Sequence, residues 1–202
     1  MSRVSHLCAS VPCSGTARAG AGGGALALTS CSVVEFLGSQ LYTRNSVSQF
    51  NQVTPRGGAI LAVSSTLGAT QPGALNFTAN TCAQYGGALA LVQSTLKGDS
   101  LFATANSAAY AGAVYLLDSY ISFALYVFER NTARADGGAL YLDGSDFEWQ
   151  NQPQIGLRAA FNVAQTGRGG FVFCSDCVVA YALGFAVAPY FEGNRAPMRS
   201  EE

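Results

Sequence analysis

The sequence has little charge and almost no histidine. Of its 202 residues only 11% are Asp, Glu, Lys or Arg, and His6 is the single histidine. Histidine and carboxylates supply most of the general acids and bases in enzymes, and a serine–histidine hydrolase needs a histidine beside its nucleophile. His6 lies in the N-terminal region, before the repeats described below. The sequence therefore argues against acid–base catalysis.

Clustered basic residues and long apolar runs are also missing. The arginines are scattered through a chain of formal net charge −1, whereas a nucleic-acid-binding domain carries a basic stripe or patch. The longest uncharged apolar run near the C-terminus, Val178–Phe191, has 14 residues and contains Pro189, but a membrane-spanning helix needs about 20. We therefore expect neither a nucleic-acid partner nor a transmembrane segment in this chain.

The cysteines do not form a complete metal site. Cys174-x-x-Cys177 has the spacing of half a zinc site, but the sequence has no second pair of that spacing, and His6 is far away. We expect no metal or other cofactor. In an exported protein, Cys174 and Cys177, or Cys8 and Cys13, can form a local disulfide. The alternative is that the cysteines of the repeats are small apolar core residues; these are Cys31, Cys82 and Cys174.

Glycine, in contrast, is abundant and regularly placed. Many of the 23 glycines belong to a repeated phrase, Gly-Gly-Ala-aliphatic, which has four full copies and two degenerate ones. The glycines of these copies are Gly23, Gly24, Gly57, Gly58, Gly86, Gly87, Gly112, Gly137, Gly138, Gly169 and Gly170. In a packed coil, such a pair allows a positive φ and a close approach between backbones at a corner.

A second phrase, Phe-x-x-Asn, alternates with the glycine phrase. Its copies are Phe77/Asn80, Phe102/Asn106 (stretched by one residue), Phe128/Asn131 and Phe191/Asn194. In three successive units the phenylalanine precedes the second glycine by 10 residues. A fixed spacing between two phrases indicates one structural unit repeated along the chain, which is typical of a solenoid. We expect the phenylalanines to fill the interior, or a groove beside it, and the asparagines to bond along a ladder.

The residues after each glycine pair follow a strand pattern. Two columns are apolar in all six units: Leu26, Ile60, Leu89, Val114, Leu140 and Val172, and then Leu28, Ala62, Leu91, Leu116, Leu142 and Cys174. The columns are two residues apart, so they share one face of a strand. Successive units are 34, 29, 25, 26 and 32 residues long, and no segment shows the period of an amphipathic helix. The sequence predicts an all-β fold, a right-handed parallel β-helix of about six coils.

Two groups of residues are candidates for function. Tyr115, Tyr141 and Phe173 lie between the two apolar columns and point outward, so they predict an aromatic binding face or a ladder that only stabilises the sheet. Turn aspartates could instead line one edge of the coils and act on a polysaccharide, with Ca²⁺ or a base. Those aspartates are Asp118, Asp143, Asp146 and Asp176. We favour turn-forming roles for them and expect no catalytic residues.

The combination of Gly-Gly-Ala-aliphatic and Phe-x-x-Asn resembles the repeats of the chlamydial polymorphic outer-membrane proteins. The resemblance covers about residues 20–195. It implies a β-helical passenger at the cell surface, in the outer membrane or extracellular, that acts in adhesion to a glycan or to a host or cell-surface protein. The alternative on the same fold is a polysaccharide-acting, pectate-lyase-like enzyme or a carbohydrate-binding module.

The domain organisation follows from the limits of the repeats. Residues 1–22 are predicted to be an N-terminal tail or cap, 23–194 the β-helix repeats, and 195–202 a polar C-terminal tail. The N-terminal residues lack the apolar stretch of a secretory signal, and the last unit stops where another glycine pair is expected. We interpret the chain as a fragment of a longer protein with flanking coils, or as a short solenoid ended by its polar tail.

Overall fold

The computed structural model describes residues 3–5, 17–18, 24–31, 34–37, 40–47, 56–70, 73–149, 156–181 and 190–197. Within these ranges every regular element is a strand. In chain order they are β1 Arg3–Ser5, β2 Ala17–Arg18, β3 Leu26–Thr29, β4 Val34–Leu37, β5 Gln40–Thr43, β6 Ser46–Val47, β7 Ile60–Val63, β8 Thr66–Thr70, β9 Ala74–Thr78, β10 Thr81–Cys82, β11 Leu89–Val92, β12 Thr95–Thr104, β13 Ser107–Ala108, β14 Val114–Leu117, β15 Tyr120–Glu129, β16 Thr132–Ala133, β17 Leu140–Asp143, β18 Asp146–Trp149, β19 Leu157–Ala160, β20 Val163–Ala164, β21 Val172–Ser175, β22 Val178–Tyr181 and β23 Tyr190–Glu192.

The strands form three sheets that wind as a right-handed parallel β-solenoid. The first sheet is ordered β2-β3-β7-β11-β14-β17-β21, and the short third sheet is ordered β20-β16-β13-β10-β6. The second sheet contains the long strands β12 and β15, which pair with two shorter strands on each side. The predicted fold class is confirmed. The solenoid has about four turns rather than six, because the first and last motif copies belong to terminal coils with a parallel neighbour on one side only.

The register of the first sheet follows the predicted columns. Leu89 pairs with Ile60 on one side and with Val114 on the other, and the column continues through Leu140 to Val172. The members from Leu26 to Leu140 are buried, as are the members of the second column from Leu28 to Leu142. At the C-terminal coil Val172 is only half-buried and Cys174 is exposed. The core is therefore a continuous column that opens at its C-terminal end.

The asparagines form a buried ladder at one corner. Asn106 Oδ1 accepts hydrogen bonds from the backbone N–H and the Nδ2 of Asn80, at 2.9 and 3.0 Å. Asn106 Nδ2 donates to Asn131 Oδ1 at 3.0 Å and to the carbonyl oxygen of Phe77 at 3.1 Å. The same pattern extends over all the described coils, and it includes two asparagines that the motif did not identify. The ladder consists of Asn45, Asn80, Asn106, Asn131, Asn162 and Asn194.

Next to the ladder, the inward position three residues earlier is not always phenylalanine. Ala103, not Phe102, pairs with Phe77 and Phe128, while Phe102 pairs with Asn76 and Val127. The alignment of Phe102 with the other phenylalanines is wrong, because a shift of one residue turns a side chain to the opposite face of its strand. The full inward column is Tyr42, Phe77, Ala103, Phe128, Ala159 and Phe191.

The two glycines of each pair have different structural roles. The first has a positive φ, as at Gly57, Gly86 and Gly137. The second lies against the neighbouring coil, so that a Cβ on Gly138 would overlap the carbonyl oxygen of Gly170. The predicted roles are both present, one at each position. Gly23 lies outside the described residues, so this division applies from Gly24 onward.

A second buried ladder, made of serines, follows the first sheet. Ser94 Oγ accepts from the backbone N–H of Ser65 at 3.0 Å and donates to the carbonyl oxygen of Val92 at 2.8 Å. The members of this ladder are Ser65, Ser94, Ser119 and Ser145. At its N-terminal end Cys31 donates its backbone N–H to Ser65 Oγ at 3.1 Å.

The described cysteines are not all simple core residues. Cys174 and Cys177 form a disulfide with a Cα–Cα distance of 5.7 Å, as one of the sequence alternatives predicted, and Cys31 is also disulfide-bonded. The interpretation of Cys31 and Cys174 as simple apolar fillers is therefore wrong. For Cys82 the interpretation as a small apolar core residue is consistent with the structure, since its thiol is free and buried. Burial also raises the pKa of this thiol.

The ends of the solenoid differ from its interior. β1 and β2 run antiparallel to β5 and β3, respectively. Most of the predicted tails, residues 1–22 and 195–202, lies outside the described residues. Arg195 still belongs to the solenoid, because it bridges in parallel to Val163.

Candidate binding surface

One outer face of the solenoid carries two adjacent columns of large side chains. The first is the outward position of the first sheet, where Tyr115 pairs with Tyr141, and Tyr141 with Phe173. The second is the position just before each glycine pair, where Arg56, Tyr85 and Tyr110 follow one another in isolated parallel bridges. The backbone hydrogen bonds of the next coils extend this second column to Asp136 and Arg168.

Five aromatic rings from these columns form a contiguous ladder, which we call the aromatic ladder: Tyr85, Tyr110, Tyr115, Tyr141 and Phe173. Tyr85 stacks on Tyr110 with ring centroids 5.2 Å apart and lies 4.7 Å from Tyr115. Tyr141 is 5.6 Å from Tyr115, 5.9 Å from Tyr110 and 4.7 Å from Phe173. These distances and tilted orientations are those of favourable aromatic pairs.

An arginine lies at each end of the aromatic ladder. The Arg56 guanidinium carbon is 5.8 Å from the ring centroid of Tyr85 and 5.9 Å from that of Tyr115. At the other end, Arg168 lies 4.4 Å from the centroid of Phe173 and forms an ion pair with Asp136, with Nε and Oδ1 3.4 Å apart. Cation–π contacts of this kind hold the guanidinium groups against the rings. The face therefore combines aromatic surface with a guanidinium group at each end, and the one at Arg168 is paired with the Asp136 carboxylate.

The predicted face Tyr115, Tyr141 and Phe173 needs one correction. Tyr115 is only 5% exposed, because Tyr85 and Tyr141 cover it, so it is a support for the ladder and not a contact residue. Burial raises the pKa of Tyr115 to about 12 and also raises the pKa of Tyr141. Because the rings pack on one another, their faces are largely occupied, and the half-buried Tyr85, Tyr110 and Tyr141 offer mainly ring edges.

The residues that complete this face were not predicted from the sequence. Tyr85, Tyr110, Arg56 and Arg168 all stand immediately before a glycine pair or its degenerate copy. That constant offset is a signal the sequence contains. It is hard to recognise because the column holds Arg, Tyr, Tyr, Asp and Arg, with no single residue type.

The turn aspartates do not form the predicted column. Asp118 occupies a left-handed turn position with φ 47°, and Gly144 is at the equivalent position of the next coil. Asp143 instead pairs with Leu117 at the end of its strand, and Asp146 pairs with Tyr120 on the following strand. The four aspartates thus lie in three different columns, because Asp143 and Asp146 are equivalent to Leu117 and Tyr120, and only Asp176 shares the column of Asp118 and Gly144.

Two of these aspartates nevertheless border a shallow cavity. Its volume is about 330 Å³, and it is lined by Gln93, Ser94, Thr95, Asp118, Ser119, Tyr120, Gly144 and Asp146. The Tyr120 hydroxyl donates to Glu148 Oε2, and the Lys97 ammonium lies 5.1 Å from the Tyr120 ring centroid. Burial, followed by the hydrogen bond to Glu148, raises the pKa of Tyr120. This polar cavity is the second candidate site.

Two further observations concern the described residues only. These residues contain no helix that is long and apolar enough to cross a membrane, because every regular element among them is a strand. They also contain no group of three or more histidine, cysteine or acidic side chains placed to hold a metal ion.

Comparisons of the chain with family profiles, curated protein sequences and solved structures found no match. The fold is therefore established by the strands and their register, and the resemblance to chlamydial outer-membrane proteins is carried by the two repeated motifs.

Proposed function

We propose that the chain is a non-catalytic structural and adhesive module of a cell-surface or secreted protein. Its contact surface is the aromatic ladder with Arg56 and Arg168, and its partner is a glycan or a cell-surface protein of a host or neighbouring cell. The observation that carries the proposal is the continuity of this face, which combines five rings and two cations over successive coils. Tyrosine and arginine are enriched where proteins bind their partners.

The available polar groups define how a ligand is bound. Among the described residues, the hydroxyl groups of Tyr85, Tyr110 and Tyr141 have no protein hydrogen-bond partner, and each side chain is half-buried. A glycan can accept and donate hydrogen bonds along this row and contact the ring edges between them. The self-packed rings keep the row rigid, so little side-chain entropy is lost on binding.

Two features support a surface or extracellular location. The disulfide between Cys174 and Cys177, and the disulfide-bonded Cys31, are typical of proteins from oxidising compartments. The repeated motifs resemble those of outer-membrane proteins whose β-helices project from the cell. Both lines point to the outer membrane or the extracellular space.

The alternative is a polysaccharide-acting enzyme at the polar cavity. Asp118 and Asp146 border that cavity together with Tyr120, and Lys97 and Glu148 lie against the tyrosine. Carboxylates beside a groove are the groups that glycosidases use. The proposal and this alternative place their functional residues on different faces, so separate substitutions distinguish them.

The test compares hydroxyl removal on one face with charge removal on the other. Immobilised protein is challenged with neutral and acidic polysaccharides and with solubilised cell-surface proteins. The triple variant Tyr85→Phe, Tyr110→Phe and Tyr141→Phe keeps the packed rings and removes the hydroxyls, so we expect retention of the bound ligand to fall at least about tenfold, the effect of losing roughly 1.4 kcal/mol of hydrogen bonding.

The matched control is Asp118→Asn with Asp146→Asn, which should leave retention unchanged. Release of reducing ends from an acidic polysaccharide, abolished by the two asparagine substitutions, would establish the enzyme instead. Retention that survives both sets of substitutions would remove the aromatic ladder as the contact surface.

A further inference from the structure

Arg56 differs from the other arginines in its burial. Among the arginine side chains whose exposure the structure describes, it alone is half-buried, and the others are exposed. Its Nε is a buried atom, and no described group accepts a hydrogen bond from the guanidinium. Taking a cation partly out of water without an anionic partner costs free energy. Arg56 therefore carries a partly desolvated charge that a bound anion would stabilise.

The aromatic ladder holds this guanidinium in place. Its carbon lies 5.8 Å from the ring centroid of Tyr85 and 5.9 Å from that of Tyr115. Ala90 occupies the outward position between Leu61 and Tyr115, and its small side chain leaves room for Arg56 to extend across it. Because cation–π contacts with two rings restrict the side chain, little further ordering is needed when a ligand binds.

The chain supplies no carboxylate to Arg56. Among the described residues, no Asp or Glu lies within ion-pair distance of it; the ion pairs there belong to other arginines. The sequence contains no acidic residue between Glu35 and Asp99, so the segment 48–55 that precedes Arg56 brings none. Of the 12 acidic residues, only the final two glutamates lie outside the described part of the chain. The anion that suits Arg56 therefore comes from a ligand.

The opposite end of the aromatic ladder is electrically balanced. Asp136 Oδ1 accepts hydrogen bonds from the backbone N–H of Arg168 at 2.6 Å and from its Nε at 3.4 Å. The column before the glycine pairs thus begins with Arg56, continues through the hydroxyls of Tyr85 and Tyr110, and ends with an ion pair. An anionic group is attracted at the Arg56 end and repelled by the Asp136 carboxylate at the other.

We propose that the ligand of the aromatic ladder is an acidic glycan, with one carboxylate or sulfate group bound at Arg56 and neutral sugars extending towards Asp136. The inference rests on the proposed function and names the chemical class of its ligand. Arginine binds carboxylates and similar oxyanions through two parallel N–H···O bonds. The tyrosine hydroxyls repeat with the coils, about 4.8 Å apart, which is close to the length of one sugar residue. Like sugar hydroxyls, they both donate and accept hydrogen bonds.

The test uses tetrasaccharides that differ only in charge: three galactose residues with a terminal glucuronic acid, and the methyl ester of the same molecule. Titration calorimetry with the full chain should show the acid binding at least about tenfold more tightly than the ester. The preference should shrink as the salt concentration rises from about 50 to about 500 mM. A third tetrasaccharide with a sulfated terminal galactose identifies which anion the site prefers, and tighter binding of either one supports the proposal.

A second measurement observes Arg56 directly and does not depend on the neutral sugars. In protein labelled at its arginine nitrogens, the Nε–H resonance of Arg56 should shift on addition of free glucuronate and stay in place with methyl glucuronate. Arg56→Gln should abolish the preference for the acid, and Arg56→Lys should retain part of it, because the charge remains and the paired N–H groups are lost. Arg44→Gln is the matched control. It removes one exposed positive charge outside the aromatic ladder and should leave the preference unchanged.

The outcomes separate this inference from the proposed function. Equal binding of acid and ester, or a preference that survives Arg56→Gln, overturns the acidic ligand, while the module remains adhesive if the tyrosine-to-phenylalanine variant still loses retention. Retention of an acidic cell-surface protein with no glycan bound also overturns it and gives the aromatic ladder a protein partner. A chain that retains neither glycans nor proteins defeats both proposals.

Discussion

The asparagine corner and the glycine corner of the solenoid hold the coils together in opposite ways. At the asparagine corner each interior side chain joins three coils through hydrogen bonds, as Asn106 does with Asn80, Asn131 and the Phe77 carbonyl. At the glycine corner the second glycine contributes by having no side chain, because the backbone of the neighbouring coil occupies that space. One corner depends on what a side chain does and the other on its absence.

The difference explains which positions vary between coils. The turns of the solenoid and both terminal coils keep asparagine at one corner and glycine at the second position of the pair, as the ladder of hydrogen bonds and the close backbone contact require. The first position of the pair is less strict. It requires a left-handed backbone, and Ala111 occupies it with φ 55°. In this chain the residues that the backbone constrains therefore repeat more strictly than the residues that fill the core.

The largest expected effect is at the second glycine. In Gly138→Ala the new Cβ would overlap the carbonyl oxygen of Gly170 and lie 2.8 Å from the backbone of Val163. Neither neighbour can move without separating the coils, so we expect a loss of more than about 3 kcal/mol, at or beyond the upper range for overpacking. Urea unfolding measures it.

The control is the adjacent first glycine. Gly137→Ala should cost less than Gly138→Ala, because Ala111 shows that a coil of this solenoid accommodates a Cβ at the first position. The loss should still exceed about 1–2 kcal/mol, the penalty of a left-handed alanine, since the new Cβ would lie 2.2 Å from the carbonyl oxygen of Leu140 until the backbone shifts. Equal losses at the two positions would mean that the two glycines do not have separate roles.

The next effect is at the asparagine corner. Asn106→Ala leaves the backbone N–H and Nδ2 of Asn80, the Phe77 carbonyl and one bond of Asn131 unpaired in a buried site. Each such group costs about 1–3 kcal/mol, less where water enters, so we expect a loss of about 3 kcal/mol in urea unfolding.

Ser107→Ala is the matched comparison for this variant. Ser107 follows Asn106, is half-buried, and its hydroxyl group has no hydrogen-bond partner among the described residues, so the loss of stability in Ser107→Ala should stay within about 0.5 kcal/mol. If Asn106→Ala is as mild as Ser107→Ala, the ladder contributes packing and not hydrogen bonding.

The sequence predicts the fold well because its constraints recur. Gly-Gly-Ala-aliphatic marks the corner, and Leu89, Val114 and Leu140 repeat at one register, so each unit supports the interpretation of the next. The stretched copy fails at Phe102, because Ala103 is the residue equivalent to Phe77 and Phe128. The coil is one residue shorter between Asn106 and Gly112 than its neighbours are, so the step of 10 from Phe102 to Gly112 is a coincidence. Asn45 and Asn162 are missed because their coils have Tyr42 and Ala159 at the phenylalanine position.

The candidate surface is less predictable. The outward positions of Tyr115 and Tyr141 follow from the alternation of the strand. The burial of Tyr115, however, depends on Tyr85, which lies in a different segment of the coil. The two columns are five residues apart in every described coil, but this spacing alone does not show that the corner brings one column into contact with the other. Outer-face residues also carry no backbone constraint, so their column has no single residue type to detect.

The smallest expected effect is at the degenerate first position. Ala111 has φ 55°, a conformation that costs an L-residue about 1 kcal/mol relative to glycine. Ala111→Gly removes that cost but loses a buried methyl group of the aromatic-ladder cluster and increases the freedom of the unfolded chain. These terms nearly cancel, so we expect a change of at most about 0.5 kcal/mol in either direction, seen as a shift of the melting temperature within about 1–2 °C in a chain of this size. A melting temperature lower by more than that would show that the Ala111 methyl group, packed beside Tyr115, matters more than the left-handed backbone, and that the first position is also selected for packing.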